Sequence, residues 1–158
     1  MDRNYWFDIV NKLIEKNLTI ATMESCTGGG IANEITNISG ASVVIKESYV
    51  TYCNEAKIKE GVPAEVIEKY TVYSSKTAQE MAKAAKRQAK SNMAVGITGQ
   101  LGRIDPNNPA NKLNHVWFAI VDNNDNIIEK EIVVPDAERK IQKEYAINEV
   151  AKELISSI

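Results

Sequence analysis

Leu18-Thr19-Ile20-Ala21-Thr22-Met23-Glu24-Ser25-Cys26-Thr27-Gly28-Gly29-Gly30-Ile31-Ala32-Asn33-Glu34-Ile35 is the stretch that decides the fold. Leu18 to Met23 is a short apolar, β-branched run of the kind that forms a buried strand, and Asn17 supplies turn chemistry before it. Glu24-Ser25-Cys26-Thr27 leads into three consecutive glycines, and Ile31 to Ile35 reads as the helix that the glycine turn opens into. Strand, glycine turn and helix in that order belong to an α/β fold.

Working outward, Trp6, Ile9, Val10, Leu13 and Ile14 recur at helical spacing and predict an amphipathic helix before the strand. Ser42 to Cys53 is rich in β-branched and aromatic residues and reads as one strand or two bent segments. Asn54 begins a short helical stretch, Glu55 to Lys59, stopped by Gly61; Pro63 suits the first position of another helix reaching Tyr70. Ser74 or Ser75 is placed to cap a long helix to about Lys90, with Ala78, Met81, Ala82, Ala85 and Ala89 on one face. Met93 to Thr98 reads as a strand, and Gln100 to Asn114 as a loop carrying Pro106 and Pro109; at about 15 residues it is long enough to expect a functional role. Val116 to Val121 and Ile127 to Val134 flank the turn cluster Asp122-Asn123-Asn124-Asp125-Asn126 as a hairpin, and Asp136 is expected to cap a last helix to about Ile155. The interleaving predicts a three-layer α/β/α domain with a mixed, mostly parallel sheet and a late β-hairpin, residues 1–158 forming one domain.

Composition narrows the function. A chain of 158 residues with 44% hydrophobic and 25% charged residues has room for one sizeable core and is not a disordered tail. Nineteen Lys plus Arg against 21 Asp plus Glu leave no basic excess, which argues against a nucleic-acid partner. No apolar run approaches the roughly 20 residues of a membrane span, and Met1 to Val10 lacks a signal-peptide core. Cys26 and Cys53 are too few for a disulfide-stapled secreted fold, so a cytoplasmic protein is expected. With His115 as the single histidine, a multi-histidine metal site within the chain is excluded, and any histidine-assisted nucleophile would depend on that one residue.

The glycine turn has two readings. Glycines at a helix start let backbone N–H groups approach an anion, so the turn suits anion binding or catalysis; a tight structural turn accounts for it equally well. It matches neither a Walker loop nor a dinucleotide fingerprint. Ser25 and Cys26 at its mouth are candidate nucleophiles, with the turn's N–H groups as an oxyanion hole. His115 lies at the edge of a predicted strand with no assigned acid partner, and reads as a surface or capping histidine. A buried lysine of lowered pKa is the other known activator of serine, and Lys57 stands at a strand-to-helix junction, although a lysine there reads by default as a solvated surface residue.

Glu24-Ser25-Cys26-Thr27-Gly28-Gly29, then Gly40-Ala41-Ser42, Tyr52-Cys53-Asn54-Glu55-Ala56-Lys57, Gly61-Val62, Ser74, Ala78 to Met81-Ala82 and Thr98-Gly99 resemble the CinA C-terminal-domain family in order and spacing; Asp136 to Arg139 resembles its Gly-Asp-Arg segment with altered spacing. The resemblance implies a nicotinamide-nucleotide amidohydrolase that needs no metal and no cofactor. It would hydrolyse the carboxamide of nicotinamide mononucleotide to nicotinate mononucleotide and ammonia, a step of pyridine nucleotide salvage. It places the nucleophile on Ser25 and the activating lysine on Lys57. It implies a small-molecule nucleotide as partner and allows a homo-oligomer. Longer members carry an N-terminal molybdopterin-binding-like domain, which this chain is expected to lack.

Substrate contacts are expected from Cys26, Thr27, Gly28 and Gly29 in the turn, from Tyr52, Thr98 and Gly99 at strand ends, and from Arg103 and Arg139. Cys26 also reads as a small packing residue, and both arginines as solvated surface residues. The family usually continues after Thr-Gly with Ile-Ala-Gly-Pro-Asp-Gly-Gly and then Lys-Pro-Val-Gly. Here the chain reads Gln100-Leu101-Gly102-Arg103-Ile104-Asp105-Pro106-Asn107-Asn108-Pro109, then Asn111-Lys112-Leu113-Asn114-His115. Arg103 is a new cation there, suited to bidentate phosphate binding. Two alternatives therefore stand beside the deamidase: a non-catalytic nucleotide-binding or regulatory module, and an amidase of the same chemistry acting on another carboxamide.

Overall fold

A computed structural model of the chain describes residues 3–107 and 112–158; Asn108, Pro109 and Asn111 of the altered loop lie outside the described residues. Its elements follow in the order α1 (Tyr5–Glu15), β1 (Ile20–Glu24), α2 (Gly30–Thr36), β2 (Ile45–Val50), α3 (Asn54–Lys59), α4 (Ala64–Tyr70), α5 (Ser75–Ala89), β3 (Met93–Gly99), β4 (His115–Val121), β5 (Ile127–Val133) and α6 (Arg139–Ser156). Among the described residues the strands form one sheet in the order β2-β1-β3-β4-β5. β2, β1 and β3 pair in parallel, while β4 is antiparallel to both β3 and β5. Four of the five strands thus point the same way, giving the expected mixed sheet with β4–β5 as its late hairpin.

Three layers follow from which faces are apolar. Trp6, Ile9, Val10 and Leu13 of α1, Ile31 and Ile35 of α2, and Ile147, Val150 and Leu154 of α6 bury against Ile20, Val95, Ile97, Val116, Phe118 and Ile120 of the strands. On the other face α5 lays Ala78, Met81, Ala82 and Ala85 on the sheet, against Ala21, Met23 and Ala94 and against Trp117, Ala119 and Val121. The fit is close: a Cβ on Gly96 of β3 would stand 2.3 Å from the Ala78 carbonyl oxygen and 2.4 Å from the Ala82 nitrogen. Any side chain at Gly96 would push α5 off the sheet, at the cost of overpacking a full core.

Local differences from the sequence reading have local causes. The expected strand from Ser42 begins only at Ile45, because Gly40 takes a left-handed φ of +89° and opens a 3-10 turn over Ala41–Val43. Pro63 is extended, with ψ at 130°, and precedes α4 rather than beginning it. Ser74, not Ser75, caps α5, its Oγ accepting from the Thr77 N–H. Asp136 caps nothing: α6 starts at Arg139, and Glu138 at its cap makes no side-chain capping bond.

The chain leaves β1 toward β2 at one side and leaves β3 toward β4 at the other, so β1 and β3 flank a topological switch point. In open α/β sheets, the crevice beyond the carboxyl ends of strands at such a point is where ligands bind.

Candidate active site

A cavity of about 630 Å³ opens at that crevice, within the range of small-molecule sites. The ends of β1 and β2, helix α3, the segment after β3 and the start of α6 line it. Of the residues expected to contact substrate or carry chemistry, Ser25, Cys26, Tyr52, Lys57, Gly99, Arg103 and Arg139 line it together. Thr27, Gly28, Gly29 and Thr98 are not among the lining residues. Thr98 is buried and its hydroxyl donates to the Val72 carbonyl at 2.8 Å; Thr27 is buried and donates to Glu24 at 2.7 Å. Both hydroxyls are turned into the framework and away from the cavity, while the sequence places these residues in contact with substrate.

The turn that presents Ser25 is held from inside. Ser25 N–H donates to the Ile97 carbonyl of β3 at 3.1 Å, and Gly28 N–H returns to the Ser25 carbonyl at 2.9 Å. Gly28 and Gly29 adopt φ of +60° and +91°, the left-handed conformations that justify glycine here. Sequence reasoning missed Glu24, whose fully buried carboxylate accepts four hydrogen bonds. Its Oε1 accepts from Thr27 Oγ1 and Ile31 N–H, and its Oε2 from Thr22 Oγ1 and Ala32 N–H, at 2.7–3.0 Å. The first amides of α2, which a glycine turn could offer to a ligand anion, are therefore occupied by the chain's own carboxylate. Gly28 and Gly30 amides are likewise committed within the turn.

Lys57 reaches the turn from α3. It is 2% exposed, its Nζ donates to the Thr51 carbonyl at 2.9 Å, and it lies 3.3 Å from Ser25 Oγ. Burial pushes its pKa down from 10.5 to about 8, against smaller upward pulls from Cys26, Cys53 and Asp105. An amine with that pKa is neutral in an appreciable fraction of molecules at neutral pH, which a proton acceptor requires. Ser25 therefore has a base within contact distance.

Cys26 is a different case. It belongs to the core cluster, and burial pushes its thiol up to about 12, so it stays a protonated packing group at the edge of the cavity. Cys53 is exposed, and both cysteines are free thiols. His115 has an acid partner after all, since its Nδ1 lies 2.9 Å from Glu131 Oε1 on β5. Neither of these two residues lines the cavity, so that pair plays no part at Ser25. Among the described residues, no group of three His, Cys, Asp or Glu could hold a metal ion, and no helix is long and apolar enough to cross a membrane.

The wall facing Ser25 comes from the segment after β3. Gln100 to Asn107 supply most of it, and Tyr73 fastens it by donating its hydroxyl to Asp105 Oδ2 at 2.8 Å. At the mouth Arg139 donates to the Tyr52 hydroxyl at 2.8 Å, and Arg103 is exposed. The cavity thus sets the half-buried Ser25 hydroxyl and the buried Lys57 amine against one wall and guanidinium groups near the opening.

Comparisons with known proteins give a consistent result. The family model described as the CinA C-terminal domain matches residues 5–157. A CinA-like protein of Flavobacterium psychrophilum is 46% identical over 96 residues, which cover 60% of this chain and 23% of that protein. A protein of Clostridium acetobutylicum named for competence-damage inducibility is 50% identical over 91 residues, 57% of this chain and 22% of that protein. The matched region spans less than a quarter of these relatives' length. Among solved structures, the competence/damage inducible protein CihA from Agrobacterium tumefaciens superposes with a TM-score of 0.87 at 28% identity, covering 99% of this chain and 96% of that one. A CinA superfamily protein from Escherichia coli superposes with a TM-score of 0.90 at 24% identity over 98% of this chain and 89% of that one, a likeness of fold alone.

Proposed function

The chain belongs to the CinA C-terminal domain family, and we propose that it is an amidohydrolase that converts nicotinamide mononucleotide to nicotinate mononucleotide and ammonia through a Ser25–Lys57 pair. The observation that carries this reading is the 3.3 Å approach of Lys57 Nζ to Ser25 Oγ, with the amine buried and its pKa lowered to about 8. A solvated surface lysine would be protonated and would give serine no base.

The steps follow from those atoms. Neutral Lys57 takes the Ser25 Oγ proton as Oγ bonds to the carboxamide carbon. The oxyanion is met by amides of the turn; with Gly28 and Gly30 committed, those of Cys26, Thr27 and Gly29 remain, of which Cys26 lines the cavity, and such a donor is worth about 3 kcal/mol. The carbon–nitrogen bond then breaks, and Lys57 returns its proton to the leaving nitrogen, which departs as ammonia. Water, losing a proton to Lys57, attacks the Ser25 ester; as the acyl–Oγ bond breaks, Lys57 gives that proton to Oγ, which restores the serine and the neutral amine and frees the acid, ionised as the carboxylate. Arg103 and Arg139 at the mouth supply the positive charge that a 5′-phosphate needs.

A specific observation favours one second reading, the same chemistry on another carboxamide. The segment from Gln100 to Asn107, where the chain departs from the family pattern, lines the cavity directly. Ammonia release from nicotinamide mononucleotide, nicotinamide, NAD and a panel of other carboxamides decides between them. The deamidase reading expects the mononucleotide to be preferred, and Ser25→Ala and Lys57→Ala to be folded and inactive. Substantial turnover in either variant overturns the assigned chemistry; release only from another amide establishes the second reading.

A further inference from the structure

Glu24 plays no part in the steps above, yet its carboxylate accepts four hydrogen bonds at the edge of the site. A carboxylate has roughly four acceptor positions. All four donors to Glu24 come from groups that shape the nucleophile's surroundings: Thr22 on the strand before Ser25, Thr27 on the turn after it, and the Ile31 and Ala32 amides at the start of α2. The residue is wholly buried, so no water takes over if these bonds are broken. Its backbone extends the same bracing, since the Glu24 carbonyl accepts from Thr51 N–H at 2.8 Å, and the Thr51 carbonyl in turn anchors Lys57 Nζ. One residue therefore adjoins the nucleophile in sequence and stands two hydrogen bonds from the base.

Resting on the Ser25–Lys57 reading, we propose that Glu24 is a positioning residue, whose buried carboxylate fills the amide-lined start of α2 as an internal anion and so fixes the Ser25 turn in its attacking geometry. It touches neither substrate nor reacting atoms. Its effect falls on the chemical step, because an angstrom-scale displacement of Ser25 Oγ disturbs the attack geometry and leaves the substrate-binding wall intact. The same occupancy excludes the glycine turn as a phosphate site: the helix start that would attract an external anion already holds one.

Glu24→Gln is the decisive variant, because it keeps the shape but turns an N–H₂ group toward two donors. Steady-state ammonia release from nicotinamide mononucleotide is measured beside acylation of Ser25 by p-nitrophenyl acetate, which needs the nucleophile but no nucleotide recognition. The expected result is a folded protein whose kcat and acylation rate both fall about a hundredfold, with KM within threefold of the parent and the pH midpoint near 8 retained. Where Glu24→Gln does not fold, Thr27→Val, which removes one donor, reads the same split with an expected tenfold loss of kcat. A kcat within threefold of the parent, or a loss confined to KM, overturns the role of Glu24. If the parent itself neither releases ammonia nor acylates, the Ser25–Lys57 reading falls and this inference with it. A parent that works beside an equally active variant defeats this inference alone.

Discussion

Two walls face each other across the cavity, and they are built on opposite principles. Behind Ser25 and Cys26, the segment from Glu24 to Ala32 is closed upon itself: the Glu24 carboxylate, the Thr27 hydroxyl and the amides of Gly28, Gly30, Ile31 and Ala32 bond within it, and Ser25 and Cys26 are what it presents to the cavity. The wall from Gln100 to Asn107 lines the cavity along most of its length and is fastened by side-chain bonds such as Tyr73 to Asp105. The first carries the family's motif intact, and the second departs from it. A rigid, self-satisfied wall is what a displacement reaction needs, because reacting atoms must hold their places. A wall of side chains facing open space can change without disturbing that chemistry. On the proposed Ser25–Lys57 chemistry the difference divides labour: reactivity on one side, choice of substrate on the other.

Substitutions should respect that division, and each offers a way to break it. The largest effect belongs to Lys57→Met, which keeps an aliphatic side chain and removes the base. Turnover should fall by at least about a thousandfold, the upper part of the range general base catalysis supplies. In the parent, kcat/KM should rise with pH to a plateau with a midpoint near 8, because only neutral Lys57 accepts the Ser25 proton. A flat profile from pH 6 to 10 would remove Lys57 from the proton path.

Arg103→Ala tests the second wall. Charge-assisted bonds to phosphate are worth about 1.5–3 kcal/mol, so KM for nicotinamide mononucleotide should rise about ten- to a hundredfold with kcat nearly constant. The unphosphorylated riboside should show no change. A fall in kcat with KM fixed would mean that the two walls are not separable, and equal effects on both substrates would take the phosphate away from Arg103.

The same Lys57→Met variant carries a stability prediction of smaller size. Holding the Lys57 pKa near 8 instead of 10.5 costs the fold on the order of 3 kcal/mol wherever the amine is protonated in both states. That cost is complete below pH 8. Between pH 8 and 10.5 the unfolded chain binds a proton the folded chain has released, so parental stability climbs; above 10.5 the cost is gone. Losing the bond to the Thr51 carbonyl offsets about 1 kcal/mol. Lys57→Met should therefore gain roughly 2 kcal/mol at pH 7, a Tm higher by about 4–8 °C in a chain of this size, and the advantage should shrink on titration past pH 8. A variant less stable than the parent at pH 7 would show that Lys57 is not held against its own solvation.

The closed wall was also the more legible one, though not in what closes it. Three glycines after an apolar run announce a turn between strand and helix, and the alanine face of α5 announces a helix laid flat on a sheet. The role of Glu24 leaves no such trace, because a carboxylate at a strand end reads as a polar stop until α2 is known to start where its amides meet it. For the same reason Thr27 and Thr98 read as pocket residues from their positions at turn and strand end, while the rotation of their hydroxyls toward Glu24 and Val72 depends on packing. Lys57 is a lysine on a six-residue helix, and nothing in its neighbours' sequence signals 2% exposure; the family resemblance supplied what periodicity could not. The His115–Glu131 pair needed the register of β4 on β5, which sets Glu131 opposite Trp117 and so diagonally across the hairpin from His115.

Tyr73→Phe gives the smallest effect and the finest test of the two-wall picture. The phenol packs against Trp117 with ring centroids 6.5 Å apart, a contact phenylalanine preserves. What it loses is the hydroxyl, which donates to Asp105 and also meets the Gln100 side chain; burial and the Asp105 carboxylate together push the tyrosine pKa up and keep it a donor. Such a bond to a charged acceptor at a partly exposed position is worth about 1 kcal/mol net, so KM should rise about threefold to fivefold with kcat unchanged. Asp105 also contributes to holding Lys57 protonated, because its negative charge favours the ammonium. If the segment relaxes away from the site when its tether is cut, the midpoint of the pH–rate profile should move slightly below that of the parent. A midpoint that rises, or a kcat that falls while KM stays fixed, would mean that Tyr73 acts on the chemistry itself, and the separation of a reacting wall from a selecting wall would fail at the hydroxyl that links them through Asp105.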